Sequence, residues 1–210
     1  MSAVFLDLDG TLVDSRPGIL ASLRHAFMTI GRTDLVETDL TWMIGPPFTE
    51  SFEKIGLSDP EPPLAAYRDH YRSGGMFDAT VYDGVTEAMD RLISEGCRLY
   101  LATAKPHDYA LEITAHFGLA SRMVAEFGPE LDGTRNWKGD LLRHALELTG
   151  EDPARSVMVG DRLHDMAAAK EVGMASIAVS WGYGQPDEWA TANSVIDHPS
   201  MLADALRQAI

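Results

Sequence analysis

The sequence contains little cysteine, little positive charge and no long apolar run. It has a single cysteine, Cys97, so no disulfide bond can form within the chain, and a reducing, cytoplasmic location is expected. Its apolar runs are all too short to span a membrane, and no basic region followed by an apolar core stands near the first residues. We therefore expect neither a membrane protein nor an exported one.

Positive charge is scarce, because 17 Lys and Arg residues stand against 32 Asp and Glu residues and the formal net charge at pH 7 is -15. Nucleic acids and anionic membranes repel such a chain, which argues against a nucleic-acid scaffold and against a protein that adheres to anionic membranes. An anionic substrate has to be held by a few local cations, because the overall field repels it. Most of the acids are expected to lie on the solvated surface.

Short apolar stretches separated by helical patterns indicate an α/β fold. With 210 residues, of which 45% are hydrophobic, the chain suits one domain or a core domain with a smaller insertion. The predicted strands lie at the opening run from Val4, at Arg98–Ala102, Met123–Phe127, Ser156–Val159 and Ala175–Val179, with a weak edge strand at Val195–Ile196. Strands that alternate with helices through short connections predict a doubly wound parallel sheet, a Rossmann-like core.

Residues 16–76 carry no strand pattern, and their apolar residues recur at helical spacing instead. The first predicted helix is capped by Ser15 and closed by Gly31; the others are Thr38–Met43, Phe48–Ile55 and Leu64–Arg72. The prolines at positions 60, 62 and 63 are expected to break the chain before the last of these. We predict an all-helical domain at 16–76, inserted into a core formed by 1–15 and 77–210.

Two carboxylates, Asp7 and Asp9, come one residue apart at the end of the first predicted strand and lead into Gly10-Thr11. Open α/β sheets bind their ligands at such strand ends. A carboxylate beside an apolar strand is costly unless it meets a cation, a donor or a substrate, and oxygen ligands favour a hard ion such as Mg²⁺. The alternative is that both residues belong to a turn or cap the next helix.

Polar residues follow the other predicted strands in the same way. Thr103 ends the second strand, Lys138 opens the helix after the third, and Asp161 and Asp165 follow the fourth. Because the carboxyl ends of parallel strands meet at one edge, we expect these side chains to join the first two carboxylates. Acids, a hydroxyl and an amine together suit metal-assisted phosphoryl transfer. The structural alternatives are a helix cap for Thr103, and an N-cap and first-turn acid for the other carboxylates.

Four motifs, in order, resemble those of the haloacid-dehalogenase-like (HAD) hydrolases. They are Asp-Leu-Asp-Gly-Thr-Leu-Val-Asp-Ser at 7–15, then Thr103, Lys138 and Gly160–Asp165. The helical insertion is similar to the type 1 cap of that superfamily, and the match covers nearly the whole chain. Three further stretches resemble its phosphoglycolate-phosphatase-like branch: Ile44–Pro47, Leu131–Arg135 and Trp181–Gly184.

The resemblance implies a role for each acid. Asp7 matches the nucleophile that attacks phosphorus and becomes an aspartyl phosphate, and Asp9 matches the acid and base that protonates the leaving alkoxide and then activates water. Asp161 matches a direct Mg²⁺ ligand, beside Asp7 and the backbone carbonyl of Asp9. Asp165 matches a carboxylate that binds the waters of the metal.

The resemblance also implies a phosphate-binding set. Thr103 and the backbone N–H of Ala104 match the groups that bind the transferring phosphoryl oxygens, and Lys138 matches the cation that neutralises them and holds the nucleophile. Lys105 is a rival for that last role, or faces substrate or solvent. In the insertion, Gly45 and Pro46 are expected to lie nearest the substrate, although this rigid turn offers no cation.

These observations predict a Mg²⁺-dependent phosphomonoesterase acting through an aspartyl phosphate on a small phosphorylated metabolite, as a phosphoglycolate phosphatase does. The alternatives are a nucleoside 5′-monophosphate or sugar-phosphate phosphatase, a β-phosphoglucomutase-like mutase, and a phosphate-binding module without turnover. Magnesium-dependent phosphate release separates an enzyme from a mere binder. The expected partner is a small molecule, and the expected assembly is a monomer or a weak homodimer.

Overall fold

Strands and helices alternate along most of the chain in the computed structural model, which describes residues 2–210. The strands are β1 (Ala3–Leu6), β2 (Val13–Asp14), β3 (Thr80–Val81), β4 (Arg98–Ala102), β5 (Ala125–Phe127), β6 (Ser156–Gly160), β7 (Ala175–Val179) and β8 (Ser194–Ile196). The helices are α1 (Arg16–Thr29), α2 (Phe48–Lys54), α3 (Glu61–Arg72), α4 (Val85–Ser94), α5 (His107–His116), α6 (Lys138–Thr149), α7 (Leu163–Val172) and α8 (Leu202–Ala209).

The chain divides into two compact units. One consists of Met1–Val13 and Val81–Ile210, and the other of Asp14–Thr80. The short strands β2 and β3 mark the two points at which the chain passes from one unit to the other. The domain bounds expected from the sequence differ from these by a few residues.

A six-stranded sheet forms the centre of the larger unit, in the order β5-β4-β1-β6-β7-β8. Every neighbouring pair is parallel; Phe5 of β1, for example, lies opposite Tyr100 of β4 on one side and Met158 of β6 on the other. The predicted doubly wound α/β core is therefore confirmed. Its consequence for the site is that β1, β4 and β6 all end at the same edge.

Water is excluded from the centre of the sheet because β1 is an apolar run buried along its whole length. The rings of Phe5 and Tyr100 stack at a centroid distance of 4.9 Å across β1 and β4. On the same face the sheet packs against α6 and α7 through Leu141, Leu142 and Ala169. Polar groups that follow β1 therefore begin in an environment from which water is largely excluded.

The smaller unit is built on the packing of α1 against α3. Its interior is aromatic, with the ring of Phe27 5.9 Å from that of Phe52 and the ring of Phe48 4.7 Å from that of Tyr67. None of residues 16–76 lies in a strand, as the helical spacing predicts. No helix among residues 2–210 combines the length and apolar character that crossing a membrane requires.

Three local predictions in this unit need correction. Pro62 and Pro63 do not break the chain, because α3 begins at Glu61 and a helix does not use the N–H groups of its first turn. The helix predicted at Thr38–Met43 is only a 3-10 turn at Thr41–Met43. Ser15 stands at the N-cap of α1, but its side chain makes no capping hydrogen bond.

Candidate active site

Four charged side chains from different parts of the sequence meet at the carboxyl edge of the sheet. Asp7 follows β1, Asp161 follows β6, Asp165 lies in the first turn of α7, and Lys138 is the first residue of α6. All four are buried. One carboxylate oxygen from each of the three acids lies within 4.8 Å of the other two. We call these three acids and Lys138 the acid cluster.

Lys138 joins two of the three acids. Its Nζ donates to Asp7 Oδ1 at 2.7 Å and to Asp165 Oδ1. Burial by itself lowers the pKa of this amine, but the carboxylates of Asp165 and Asp7 outweigh burial and raise the pKa above its ordinary value. Lys138 is therefore a charged ammonium between two carboxylates.

The acid cluster holds more negative than positive charge in a buried place. Burial raises the pKa of Asp7 to about 6, with the charges of Asp165 and Asp9 adding to the effect and Lys138 opposing it. Burial, together with Asp165 and Asp7, also raises the pKa of Asp161 well above its ordinary value. Like charges brought together away from water oppose one another's ionisation. A bound cation would reduce this electrostatic repulsion.

The donor atoms fit a hard divalent cation. Asp161 Oδ2 accepts from the backbone N–H of Tyr183 at 2.6 Å and of Gly184 at 3.3 Å. Asp161 Oδ1 is also buried and has no hydrogen-bond partner. A buried carboxylate oxygen without a donor is costly unless a cation lies beside it, and an oxygen-only set suits Mg²⁺. Asp7, Asp161 and Asp165 are the side chains that would hold this ion.

Asp9 belongs to a second group. Its Oδ2 lies 3.0 Å from Lys105 Nζ, and both side chains are largely buried. Its Oδ1 is buried without a hydrogen-bond partner. Of the two lysines that the sequence offered for holding the nucleophile, Lys138 is the one bonded to Asp7. Lys105 stands instead beside the residue predicted to be the acid and base.

Thr103 lies at the end of β4 and is buried. Its backbone N–H donates to Phe127 O at 3.1 Å, and its Oγ1 accepts from Lys105 N at 3.2 Å. The helix that follows, α5, begins at His107 with Pro106 at its N-cap, so Thr103 is not the cap of that helix. That Thr103 and Ala104 bind phosphoryl oxygens stays a prediction.

Gly45 and Pro46 belong to the smaller unit, where they lie between the 3-10 turn and α2. Gly45 has a φ of 109°, which residues with a side chain rarely adopt, so the turn depends on glycine. Their predicted contact with the substrate stays a prediction.

Three residues contact this edge of the sheet in ways that the sequence did not predict. Lys105 was named as a candidate without a partner acid, and Glu188 and Trp189 were given no role at the site. The indole N–H of Trp189 donates to the carbonyl oxygen of Asp161 at 2.6 Å, and Glu188 accepts from the start of α7. The one signal was the stretch Trp181–Gly184, which the sequence offered only as a mark of family resemblance.

Comparison with known proteins identifies similar chains. The family model for haloacid dehalogenase-like hydrolases matches residues 4–179. A 5′-nucleotidase from Pseudomonas aeruginosa is 38% identical over 99% of this chain and 94% of that protein. A phosphoglycolate phosphatase from Agrobacterium fabrum is 29% identical over 97% of this chain and 91% of that one.

A third relative carries a different name. The tyrosine-protein kinase PtkA of Mycobacterium tuberculosis is 39% identical over 99% of this chain and 72% of that protein. Its solved structure has a TM-score of 0.85 and 37% identity, and the alignment covers 98% of this chain and 97% of that structure. The names of the three relatives thus describe different phosphoryl-group chemistry.

Proposed function

The chain belongs to the haloacid dehalogenase-like hydrolase family and is a phosphoric monoester hydrolase, and we propose that it acts with Mg²⁺ through an aspartyl phosphate on Asp7. The observation that carries this proposal is the acid cluster, in which a buried nucleophile candidate contacts the Lys138 ammonium at 2.7 Å beside two further carboxylates. Such a site suits phosphoryl transfer, in which the protein's task is to position groups and to balance charge.

In the first step, a carboxylate oxygen of Asp7 attacks phosphorus, and the bond from phosphorus to the leaving oxygen breaks. With a pKa of about 6, Asp7 is largely ionised at neutral pH, so no separate base has to activate it. Lys138 offsets negative charge as the phosphoryl group approaches. A Mg²⁺ ion held by Asp7, Asp161 and Asp165 would add positive charge against the phosphoryl oxygens.

Asp9 serves both steps in this proposal. It begins the cycle protonated and gives that proton to the leaving alkoxide. The resulting carboxylate then takes a proton from the water that attacks the aspartyl phosphate, which restores Asp9 and frees Asp7 and inorganic phosphate. The ion pair with Lys105 at 3.0 Å holds the Asp9 side chain in one place for these transfers. Thr103 and the Ala104 N–H bind the phosphoryl oxygens as they change geometry.

The substrate is proposed as a small phosphomonoester. Two relatives favour specific classes, because one is named a 5′-nucleotidase and the other a phosphoglycolate phosphatase. We propose that the helical unit selects the leaving group, with Gly45 and Pro46 as its contacts to the substrate. A cytoplasmic location and a monomeric or weakly dimeric state also remain predictions from the sequence.

The test is phosphate release from a panel with and without Mg²⁺, using the wild type and Asp7→Asn. The panel contains 2-phosphoglycolate, nucleoside 5′-monophosphates, sugar phosphates and inorganic pyrophosphate. We expect Mg²⁺-dependent release that EDTA removes and Asp7→Asn lacks, with one class well above the rest. A transient acid-labile phosphate on wild-type protein would support the intermediate.

Other outcomes would contradict this proposal. Metal-independent release, or full activity of Asp7→Asn, would remove the mechanism. Isomerisation of a sugar phosphate without release would indicate a mutase. Transfer from ATP to a tyrosine peptide, without release from any monoester, would favour the activity for which the mycobacterial relative is named.

A further inference from the structure

The segment after β7, Trp181–Trp189, folds over the loop that carries Asp161. Its first part runs through Trp181-Gly182-Tyr183-Gly184, and its last four residues form a 3-10 helix at Pro186–Trp189. From the sequence, the first part was noted only because it resembles the phosphoglycolate-phosphatase-like branch. The proposed reaction uses no side chain from the segment. Its contacts nevertheless lie at the end of β6 and the start of α7, which are next to Asp161 and Asp165.

Three N–H groups of this segment donate hydrogen bonds to Asp161. The N–H groups of Tyr183 and Gly184 donate to Oδ2 at 2.6 and 3.3 Å, and the indole N–H of Trp189 donates to the carbonyl oxygen at 2.6 Å. Oδ1 is the side-chain oxygen left without a hydrogen bond. The three bonds therefore fix both the backbone and the rotamer of Asp161 with Oδ1 as the one free ligand oxygen.

Glycines allow the segment to come this close. A Cβ on Gly184 would lie 1.8 Å from the carbonyl oxygen of Asp161, and a Cβ on Gly182 would lie 2.3 Å from the carbonyl oxygen of Gly10. Both neighbours are backbone atoms, which cannot move aside as a flexible side chain can. The spacing of the two glycines in the motif follows from this approach to Asp161.

Glu188 ties the same segment to the start of α7. Its Oε2 accepts from the backbone N–H of Leu163 and from Nε of Arg162, both at 3.0 Å, and its Oε1 accepts from Gln185 N at 3.2 Å. Arg162 N in turn donates to Asp165 Oδ2 at 3.0 Å. One carboxylate thus links the 3-10 helix to the turn in which Asp161 is followed by Asp165.

We propose that Glu188 and Trp189 are positioning residues for the divalent cation, which fix Asp161 and the first turn of α7 in the geometry that binds the ion. This inference rests on the proposed function, because it assigns a task to residues around the same site. Residues that hydrogen-bond to a metal ligand and fix its orientation raise its affinity for the metal. An Asp side chain without such bonds loses conformational freedom when it binds the ion, so it binds more weakly.

The experiment measures binding of Mn²⁺ alone to metal-free protein by electron paramagnetic resonance, which reports free Mn²⁺. Mn²⁺ shares the oxygen preference of Mg²⁺. The variants are Trp189→Phe, Glu188→Ala and Glu188→Gln. The matched control is Asp187→Ala, which removes an exposed acid from the same 3-10 helix. Asp161→Asn serves as the variant that loses the ligand itself, and the thermal midpoint of each metal-free protein is recorded alongside.

We expect Trp189→Phe and Glu188→Ala to raise the Kd for Mn²⁺ by about tenfold. Asp187→Ala should bind as the wild type does, and Glu188→Gln, which keeps one acceptor oxygen, should recover much of the affinity. In activity assays the Mg²⁺ concentration at half-maximal rate should rise, while kcat at saturating Mg²⁺ should stay near that of the wild type. A merely structural role would lower the thermal midpoint without moving the Kd.

Two failures are distinguishable. If Trp189→Phe and both Glu188 variants bind Mn²⁺ as tightly as Asp187→Ala, while Asp161→Asn binds it far more weakly, the positioning role is wrong and the metal site stands. If Asp161→Asn binds Mn²⁺ as the wild type does, the metal site of the proposed function is itself wrong. Trp189→Phe keeps a large ring in a buried place, so the test does not depend on Glu188→Ala folding.

Discussion

Two buried lysines at the carboxyl edge of the sheet contact acids in different proportions. Lys138 bonds to Asp7 and Asp165, and Asp161 lies in the same cluster, so the acids outnumber the ammonium. Lys105 pairs with Asp9, and this pair is balanced in charge. An uncompensated buried charge is unstable and a paired one far less so. In our proposal the first group therefore recruits a cation, and the second holds a proton-transfer residue still.

The largest expected effects come from removing one acid from each group. Asp7→Asn should lower kcat by about 10⁴-fold or more, because an amide is not a nucleophile toward phosphorus. Asp9→Asn should lower kcat by about 10²- to 10⁴-fold, because the leaving alkoxide and the attacking water lose their acid and base. Phosphate release at saturating Mg²⁺ measures both.

The same two variants test whether the acid cluster binds the cation and the Asp9–Lys105 pair does not. Asp7→Asn removes a carboxylate from the acid cluster and should weaken Mn²⁺ binding. Asp9→Asn leaves the acid cluster intact and should bind Mn²⁺ nearly as the wild type does. Equal weakening in both variants would mean that the two acids form one metal site, and the comparison would then be wrong.

Lys138→Met is the next largest change. Without the ammonium, the three acids of the cluster face one another, which should lower kcat by about 10²- to 10³-fold and destabilise the metal-free protein by about 3 kcal/mol. Urea unfolding with EDTA measures the stability. Because a cation can replace part of the lost charge, saturating Mg²⁺ should reduce the stability difference. An unchanged difference with Mg²⁺ would argue against a cation at this cluster.

Lys105→Met should have a smaller effect of another type. Asp9 keeps its chemistry and loses the partner that holds it, so kcat should fall by about tenfold, well short of the loss in Asp9→Asn. Affinity for Mn²⁺ should stay at the wild-type value, since the Lys105 ammonium pairs with Asp9, which does not belong to the acid cluster. A loss as large as that of Asp9→Asn would mean that Lys105 itself contacts the reacting phosphoryl group.

Most of the side chains that meet at the carboxyl edge of the sheet could be predicted from the sequence, for a simple reason. A parallel sheet buries both faces of its strands, so β1, β4 and β6 are continuous apolar runs that end at polar residues. Once the strands are known to be parallel, the residues after them must lie at one edge. The contact between Asp7 and Lys138, 131 positions apart, follows from that topology.

The remaining contacts depend on loop paths, which spacing does not determine. Lys105 lies three residues past β4, and the turn from Thr103 to Pro106 decides whether its amine faces Asp9 or solvent. Glu188 lies nine residues past β7, and it reaches α7 because the glycines of the preceding motif let the segment approach Asp161. Pro62 and Pro63 misled because proline breaks a helix only beyond its first turn.

The smallest expected effect is the stabilisation of the wild type by Mg²⁺, and it isolates the acid cluster from catalysis altogether. A ligand that binds only the folded protein adds about 2.7 kcal/mol to the free energy of unfolding at one hundred times its Kd. Differential scanning fluorimetry without substrate should show this as a higher thermal midpoint in the wild type and in Lys105→Met. Asp161→Asn should lose most of the shift, since it removes the oxygen that is buried without a partner. Ca²⁺ should also raise the midpoint, because the acids supply oxygen ligands to either ion, whereas K⁺ at equal ionic strength should not. A shift of equal size with K⁺ would reduce the Mg²⁺ effect to salt screening, and the acid excess around Lys138 would then have to be explained without a bound divalent ion.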